Sequence, residues 1–360
     1  MMRLIVRPAP SRLWAWSTPL LAVLATMLAG AVLFAALGTD PAETLRVMFW
    51  EPLFGANAGY FRGQLLIKAG PLILIAAGLA VGFRAGIWNI GAEGQYIVGA
   101  LCGASVALAA YPAENVLIFP AMVLAGALGG WAWGMIPALL KTRFGASEIL
   151  VSLMLVYVAQ NLLAWAAFGP LKNPQGFGFP GSRNLQYYPS AHNGDLIAGS
   201  GLHWGGVAAL AALVGTYVLM SHHIAGFRIQ VAGDAPKAAR FAGVAPARLV
   251  AVCLGLSGAL AGLAGMFEVA GPAGQITDAF GAGYGFTAII VAFLGRLNPL
   301  GILFAGLLMA LTYIGGDLAQ LTLGLPAAAV QVFQGMLLFF LLGFDVLTNY
   351  RVQFGAGVRP

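Results

Sequence analysis

Apolar residues in this chain come in long, nearly unbroken runs separated by short polar intervals, and neither a period of two nor a one-sided helical stripe describes them. Runs of about 20 apolar residues are long enough to cross a bilayer as helices. They fall at 16–37, 65–83, 94–110, 116–140, 149–168, 203–220, 249–270, 284–294, 300–314 and 327–342, the eighth being short and flanked by glycine. The pattern predicts an all-α polytopic membrane protein with about ten transmembrane helices. The intervals differ in character: 38–64 reads as a loop, acidic at its start, 169–200 is a long loop rich in Gly, Pro, Asn and Tyr, and 221–247 is basic. The interval 82–95 is a glycine-punctuated break that places Arg84, Asn89, Glu93 and Gln95 between two apolar runs.

Composition agrees: 60% of the 360 residues are hydrophobic, only 8% are charged, and the mean hydropathy is +0.87. A soluble domain of this length needs more polar residues to cover its surface. The run at 16–37 is too long for a signal peptide and reads as a first, retained span. Cys102 and Cys253 sit in apolar runs, where they read as small buried hydrophobes rather than disulfide or metal partners.

Charge sets the orientation, because Lys and Arg near span ends stay cytoplasmic. With the N-terminus inside, thirteen of the 18 basic residues fall on the cytoplasmic side: Arg3, Arg7, Arg12, Arg84, Lys141, Arg143, Arg228, Lys237, Arg240, Arg248, Arg296, Arg351 and Arg359. Both termini are then expected inside, 169–200 outside and 221–247 inside. Topology accounts for the net charge of +6, which gives no reason to expect a nucleic-acid partner. On this orientation the stretches 65–168 and 249–342 begin on opposite sides, and each carries a glycine-interrupted break. They are expected to form an inverted repeat with discontinuous helices, the arrangement from which transporters build a translocation path.

Polar groups at such breaks have two roles open to them. Asn89, Glu93 and Gln95 either line a path or hydrogen-bond the broken helix ends, and Arg84 and Glu93 are positioned to pair. Phe286 and Thr287 at the second break are path candidates, since sugars and nucleosides are held by aromatic faces plus hydroxyl or amide groups. Within 221–247, residues 226–244 read as a turn followed by a short helix. In that reading Asp234 caps the helix, Pro236 suits its first turn, Ala238 and Ala239 offer a small-residue face, and Gly243 ends it. Such a cytoplasmic helix suits either docking on a partner or a solvated connection.

The run Gly86-Ile87-Trp88-Asn89-Ile90-Gly91-Ala92-Glu93-Gly94-Gln95, the loop 233–243 and the run Gly295-Arg296-Leu297-Asn298-Pro299-Leu300-Gly301 together resemble the permease subunits of bacterial ABC importers. The resemblance is to the ribose and branched-chain amino acid superfamily, nearest its nucleoside and simple-sugar permeases, and it extends from about residue 60 onward. It implies a multi-pass protein of the bacterial cytoplasmic (inner) membrane. The partners implied are a cytoplasmic ABC ATPase that binds ATP and Mg, a second permease subunit in a heterodimer, and an extracytoplasmic substrate-binding lipoprotein. It also implies that Gly233, Asp234, Ala238, Ala239 and Gly243 belong to the helix that couples to the ATPase. Where such permeases carry Met-Leu-Asn-Tyr, this chain has Met154-Leu155-Val156-Tyr157, which leaves substrate choice open.

The function expected is inward transport of a small polar solute by alternating access, with a nucleoside first and simple sugars or branched-chain amino acids as alternatives. The chain itself lacks a GxxxxGK[ST] phosphate loop, so ATP hydrolysis is assigned to the partner. Neither a catalytic set nor a metal-ligand spacing occurs in any span, and His192, His203, His222 and His223 lie at loops or span ends. An ion-coupled carrier, the rival of a different class, would place charges in mid-span, whereas here most lie at ends or breaks.

Overall fold

The computed structural model describes residues 2–7, 12–176, 178–197, 199–281 and 283–354; Arg359 lies outside them. Nine of its helices are long and apolar enough to cross a membrane, and the shorter apolar helix Tyr284–Leu294 accompanies them, so the all-α polytopic expectation holds. The chain divides into two compact units, Met1–Phe61 with Leu311–Pro360, and Arg62–Ala310.

In the first unit, α1 (Arg12–Ala36) packs along the C-terminal helix Ala327–Asn349, with Phe34 and Phe333 stacked at 5.9 Å between ring centroids. Residues 38–57 are not the simple loop expected from their polarity. Asp40 accepts hydrogen bonds from the amides of Ala42 and Glu43 and starts α2 (Pro41–Leu45). A π turn (Arg46–Trp50) and α3 (Glu51–Phe54) follow, and they bury Val47 and Met48 against Phe34, Ala319 and Phe333. The apolar residues scattered through this acidic stretch are what hold it down. Strand β1 (Met2–Val6) pairs antiparallel with β2 (Tyr350–Phe354), Met2 opposite Phe354 and Val6 opposite Tyr350.

The second unit holds most of α4 (Ala58–Arg84), then α5 (Ala92–Ala110), α6 (Ile118–Phe144), α7 (Glu148–Phe168), α8 (Trp204–His222), α9 (Ile224–Asp234), α10 (Pro236–Phe241), α11 (Pro246–Ala270), α12 (Tyr284–Leu294) and the start of α13 (Pro299–Leu323); the C-terminal helix of the first unit is α14. Its centre is α11 packed against α5 and α6. Lipid supplies no hydrophobic drive between helices, so close packing must, and small residues permit it. Gly258 and Gly262 of α11 face Gly130 of α6 backbone to backbone, and Gly99 of α5 approaches Gly262 from the other side. A Cβ on Gly262 would overlap the Gly126 carbonyl and the Gly130 backbone. The turn between α6 and α7 is closed by Gly145, at φ +68°, and by an ion pair from Lys141 to Glu148 in the first turn of α7. Glu148 is thus a structural helix-start residue.

The 169–203 segment contains one short 3-10 turn, Leu185–Tyr187, and works as a clamp. Ser182 exchanges hydrogen bonds with the backbone of Ile276, the Leu185 amide donates to the Gly274 carbonyl, and Gln186 Nε2 donates to the Gly271 carbonyl at 2.8 Å. The irregular stretch after α11 is held in place by these bonds.

Candidate functional site: broken helices and a polar cavity

α4 stops at Arg84 because Gly86, at φ +71°, turns the chain back, with the Ile87 amide donating to the Gly82 carbonyl at 2.9 Å. Residues 87–91 are non-helical and α5 starts only at Ala92, whose N-cap, Gly91, has no side chain to offer. Buried backbone amides need partners wherever water is excluded. Asn89 supplies one: its Oδ1 accepts from the Gly91 amide at 3.0 Å and from Gln95 Nε2, while its Nδ2 donates to Gln95 Oε1 at 2.8 Å and to Ser257 Oγ at 2.9 Å. Ser152 Oγ accepts from the Ile90 amide.

Glu93, in the first turn of α5, serves a different helix. Its two oxygens accept from the amides of Gly283 (2.9 Å) and Gly285 (2.6 Å) at the start of α12. A carboxylate at a helix N-terminus satisfies orphan donors and complements the dipole. Gly285 is required for the approach, because a Cβ there would strike the Glu93 backbone. One carboxylate therefore joins the first turns of two interrupted helices. Glu93 does not pair with Arg84 as the sequence suggested; amides occupy both its oxygens, and Arg84 lies in a separate recess with Asp234.

Of the five path candidates, Asn89 and Gln95 bond each other while Glu93 bonds the amides that start α12, and each of the three is 1% exposed. Thr287 is buried on the inner side of α12, whereas its neighbour Phe286 is 38% exposed on another face. These two sets of bonds hold the two helix starts, and all three residues are buried within the protein.

The interval 221–247 differs from the expectation in three respects. Residues 224–234 are helical (α9), capped by His223, whose Nδ1 accepts from the Ala225 amide; Asp234 closes α9 and caps nothing, and α10 begins at Pro236 after Ala235. Helix-forming residues between the two predicted turn points outweighed Gly226 and Gly233. Ala239 is 2% exposed within this chain, so its side chain is not part of an outward face; Ala238, Lys237 and Phe241 are exposed. Gly243, at φ +81°, ends the element as expected. Gly233 packs so tightly on Arg84 that a Cβ would meet the Arg84 carbonyl. A recess of about 420 Å³ lies between them and Leu297. Beside it Phe83, Trp88 and Phe293 form a three-ring cluster with centroids 5.1–5.6 Å apart. The connector thus touches the residues that end α4.

A second cavity, of about 370 Å³, involves residues the sequence did not single out. Gln64 and Lys68 of α4, Tyr96 of α5, Glu268 of α11, Phe280 of the irregular stretch and Tyr284 of α12 line it. Lys68 Nζ donates to Tyr284 Oη at 2.6 Å and lies 5.3 Å from the centre of that ring. Tyr96 stacks on Phe280 at 5.3 Å and meets Tyr284 edge-on at 5.8 Å. The available signal was an ionisable residue near each end of two apolar runs, but Lys68 and Glu268 are 200 positions apart and nothing in the sequence joins them. Chemically the cavity offers donors, acceptors and aromatic faces together, a lining suited to holding a small polar molecule.

The family described as "Branched-chain amino acid transport system / permease component" matches residues 61–342, which span both helix breaks, the connector and the cavity. The chain is 37% identical to the glucose ABC transporter permease protein TsgB13 of Haloferax volcanii, over 94% of this chain and 90% of that one. It is 30% identical to the nucleoside ABC transporter permease protein NupB of Lactococcus lactis subsp. cremoris, over 90% and 89% of the two chains. It is 29% identical to the guanosine ABC transporter permease protein NupP of Bacillus subtilis, over 94% and 95%. No solved structure matches. Matched across nearly its whole membrane-spanning length, the chain belongs to the ribose and branched-chain amino acid superfamily of ABC transporter permeases, close to its nucleoside and sugar permeases.

Proposed function

We propose that this protein is the membrane-spanning subunit of an ATP-driven importer that carries a small neutral solute containing a sugar ring, a nucleoside or a monosaccharide, into the cell. The observation that carries the proposal is the permease family match over 61–342. The guanosine and nucleoside relatives favour the first solute, and the 37% identity to the glucose relative favours the second. Energy comes from a cytoplasmic ATPase holding ATP and Mg, and a binding lipoprotein delivers the solute on the other side of the cytoplasmic membrane. A second permease subunit completes the path, and both termini of this chain are cytoplasmic.

In this mechanism the ATPase engages the 233–243 connector, which leans on the end of α4 through Gly233. Movement there reaches α5 and α12, because Glu93 ties their first turns together. That α5 and α12 each start after a non-helical stretch supports the pairing of 65–168 with 249–342 as an inverted repeat. The test is uptake of radiolabelled guanosine and glucose into proteoliposomes holding the chain with its cognate ATPase, partner permease and binding protein. Uptake that requires internal or external ATP on the ATPase side supports the proposal. Uptake by the chain alone, driven by an ion gradient, would refute it in favour of a secondary carrier.

A further inference from the structure

The cavity between α4, α5, α11 and α12 contains an electrostatic problem that the described residues leave unsolved. Glu268 is 6% exposed, and its Oε2 has no hydrogen-bond partner among the described residues. A buried carboxylate oxygen without a donor is costly. Lys68, which lines the same cavity, directs its ammonium to Tyr284 Oη. We propose that the cavity is a binding subsite for a sugar ring with neighbouring hydroxyl groups, and that Glu268 accepts a hydrogen bond from one of those hydroxyls. The inference rests on the importer proposal and deepens it by assigning the solute a place within this chain.

Three observations select the ligand. No described residue supplies the missing donor, and a hydroxyl donated to a carboxylate makes a short, strong bond. The cavity carries one cation and one carboxylate, Lys68 and Glu268, so its charges offset and a neutral solute suits it better than an ionic one. Gln64, Gln275 and Thr277 add donors and acceptors, while the stacked Tyr96 and Phe280 add an aromatic wall for the apolar face of a ring. The volume of about 370 Å³ falls within the range typical of small-molecule sites, roughly 300–1,000 Å³. A free monosaccharide and the ribose of a nucleoside present the same chemistry.

The experiment uses the complete importer in proteoliposomes, with glucose, ribose, guanosine and adenosine as probes, each beside its singly deoxygenated analogues. The parent solute imported identifies the source of the ring. For that solute, at least one deoxy analogue is expected to show a KM about tenfold higher or more in the unmodified importer. Glu268→Gln, which keeps only a neutral acceptor oxygen, should raise the KM of the parent, leave that of the same analogue almost unchanged, and so narrow the discrimination. Assembly of the importer should not change. Full discrimination retained in Glu268→Gln would overturn the site while leaving the importer proposal standing; ATP-dependent uptake of none of the four probes would overturn both. If Glu268→Gln does not assemble, Gln275→Ala and Phe280→Leu carry the test: a raised KM supports the site, and an unchanged KM in both refutes it.

Discussion

At the scale of single residues, the polar side chains of this protein divide by what they face. Asn89 and Gln95 face each other, Glu93 faces backbone amides of α12, and these bonds make two interrupted helices tolerable where water is absent. Glu93→Ala would leave the amides of Gly283 and Gly285 without their acceptor. It is expected to lower stability by about 1–3 kcal/mol, read as a reduced melting temperature in detergent, with Glu93→Gln losing less because one acceptor oxygen remains. His203 lies just ahead of α8, where its Nδ1 accepts from the Gly205 amide at 3.0 Å and Asn193 braces it. Burial holds its pKa below the usual 6.5, with the charge of Asp195 partly opposing. The unfolded chain then binds a proton that the folded one refuses. Stability should be fully present above pH 6.5 and decline as pH falls below it. Thermal unfolding between about pH 5 and 8 should show that slope, and His203→Asn, which keeps a capping acceptor, should flatten it.

At the scale of elements, the α5, α6 and α11 core depends on glycine for contact and not for flexibility. Gly262→Ala introduces a methyl where two backbones already touch, and overpacking of this kind costs about 1–3 kcal/mol or more. Gly215 in α8 has nothing within 4 Å of a new Cβ, so Gly215→Ala should be neutral or slightly stabilising. Comparing folded yield and melting temperature of the two variants checks this; equal losses would mean that the close approach is not what stabilises the core. The long helices were legible in the sequence because apolar run length is a direct consequence of bilayer thickness. The short ones were not. α2, α3 and α9 sit in polar stretches where local glycine and proline argue for turns; burial of Val47 and Met48 in the π turn that joins α2 to α3, and of Ile229 in α9, favours helix instead.

At the scale of the whole molecule, family membership and the helix break were readable because a polar motif in an apolar chain is conspicuous. The cavity was not, since its members come from four elements brought together only by folding. Lys68 and Glu268 each look like ordinary span-end charges until α4 and α11 are seen to share one wall. The strand pair β1 and β2 has a further consequence. Met2–Val6 cannot hydrogen-bond to Tyr350–Phe354 across a bilayer, so both ends of the chain must emerge on one face of the membrane. A path that starts and finishes on the same face makes an even number of crossings, and the nine long apolar helices among the described residues are an odd number. The short apolar helix α12, with the irregular stretch before it, is expected to supply the further passage. Epitope tags at the two ends should therefore become accessible together, from the same side of sealed vesicles. Accessibility from opposite sides would show that the stretch after α11 dips into the membrane and returns.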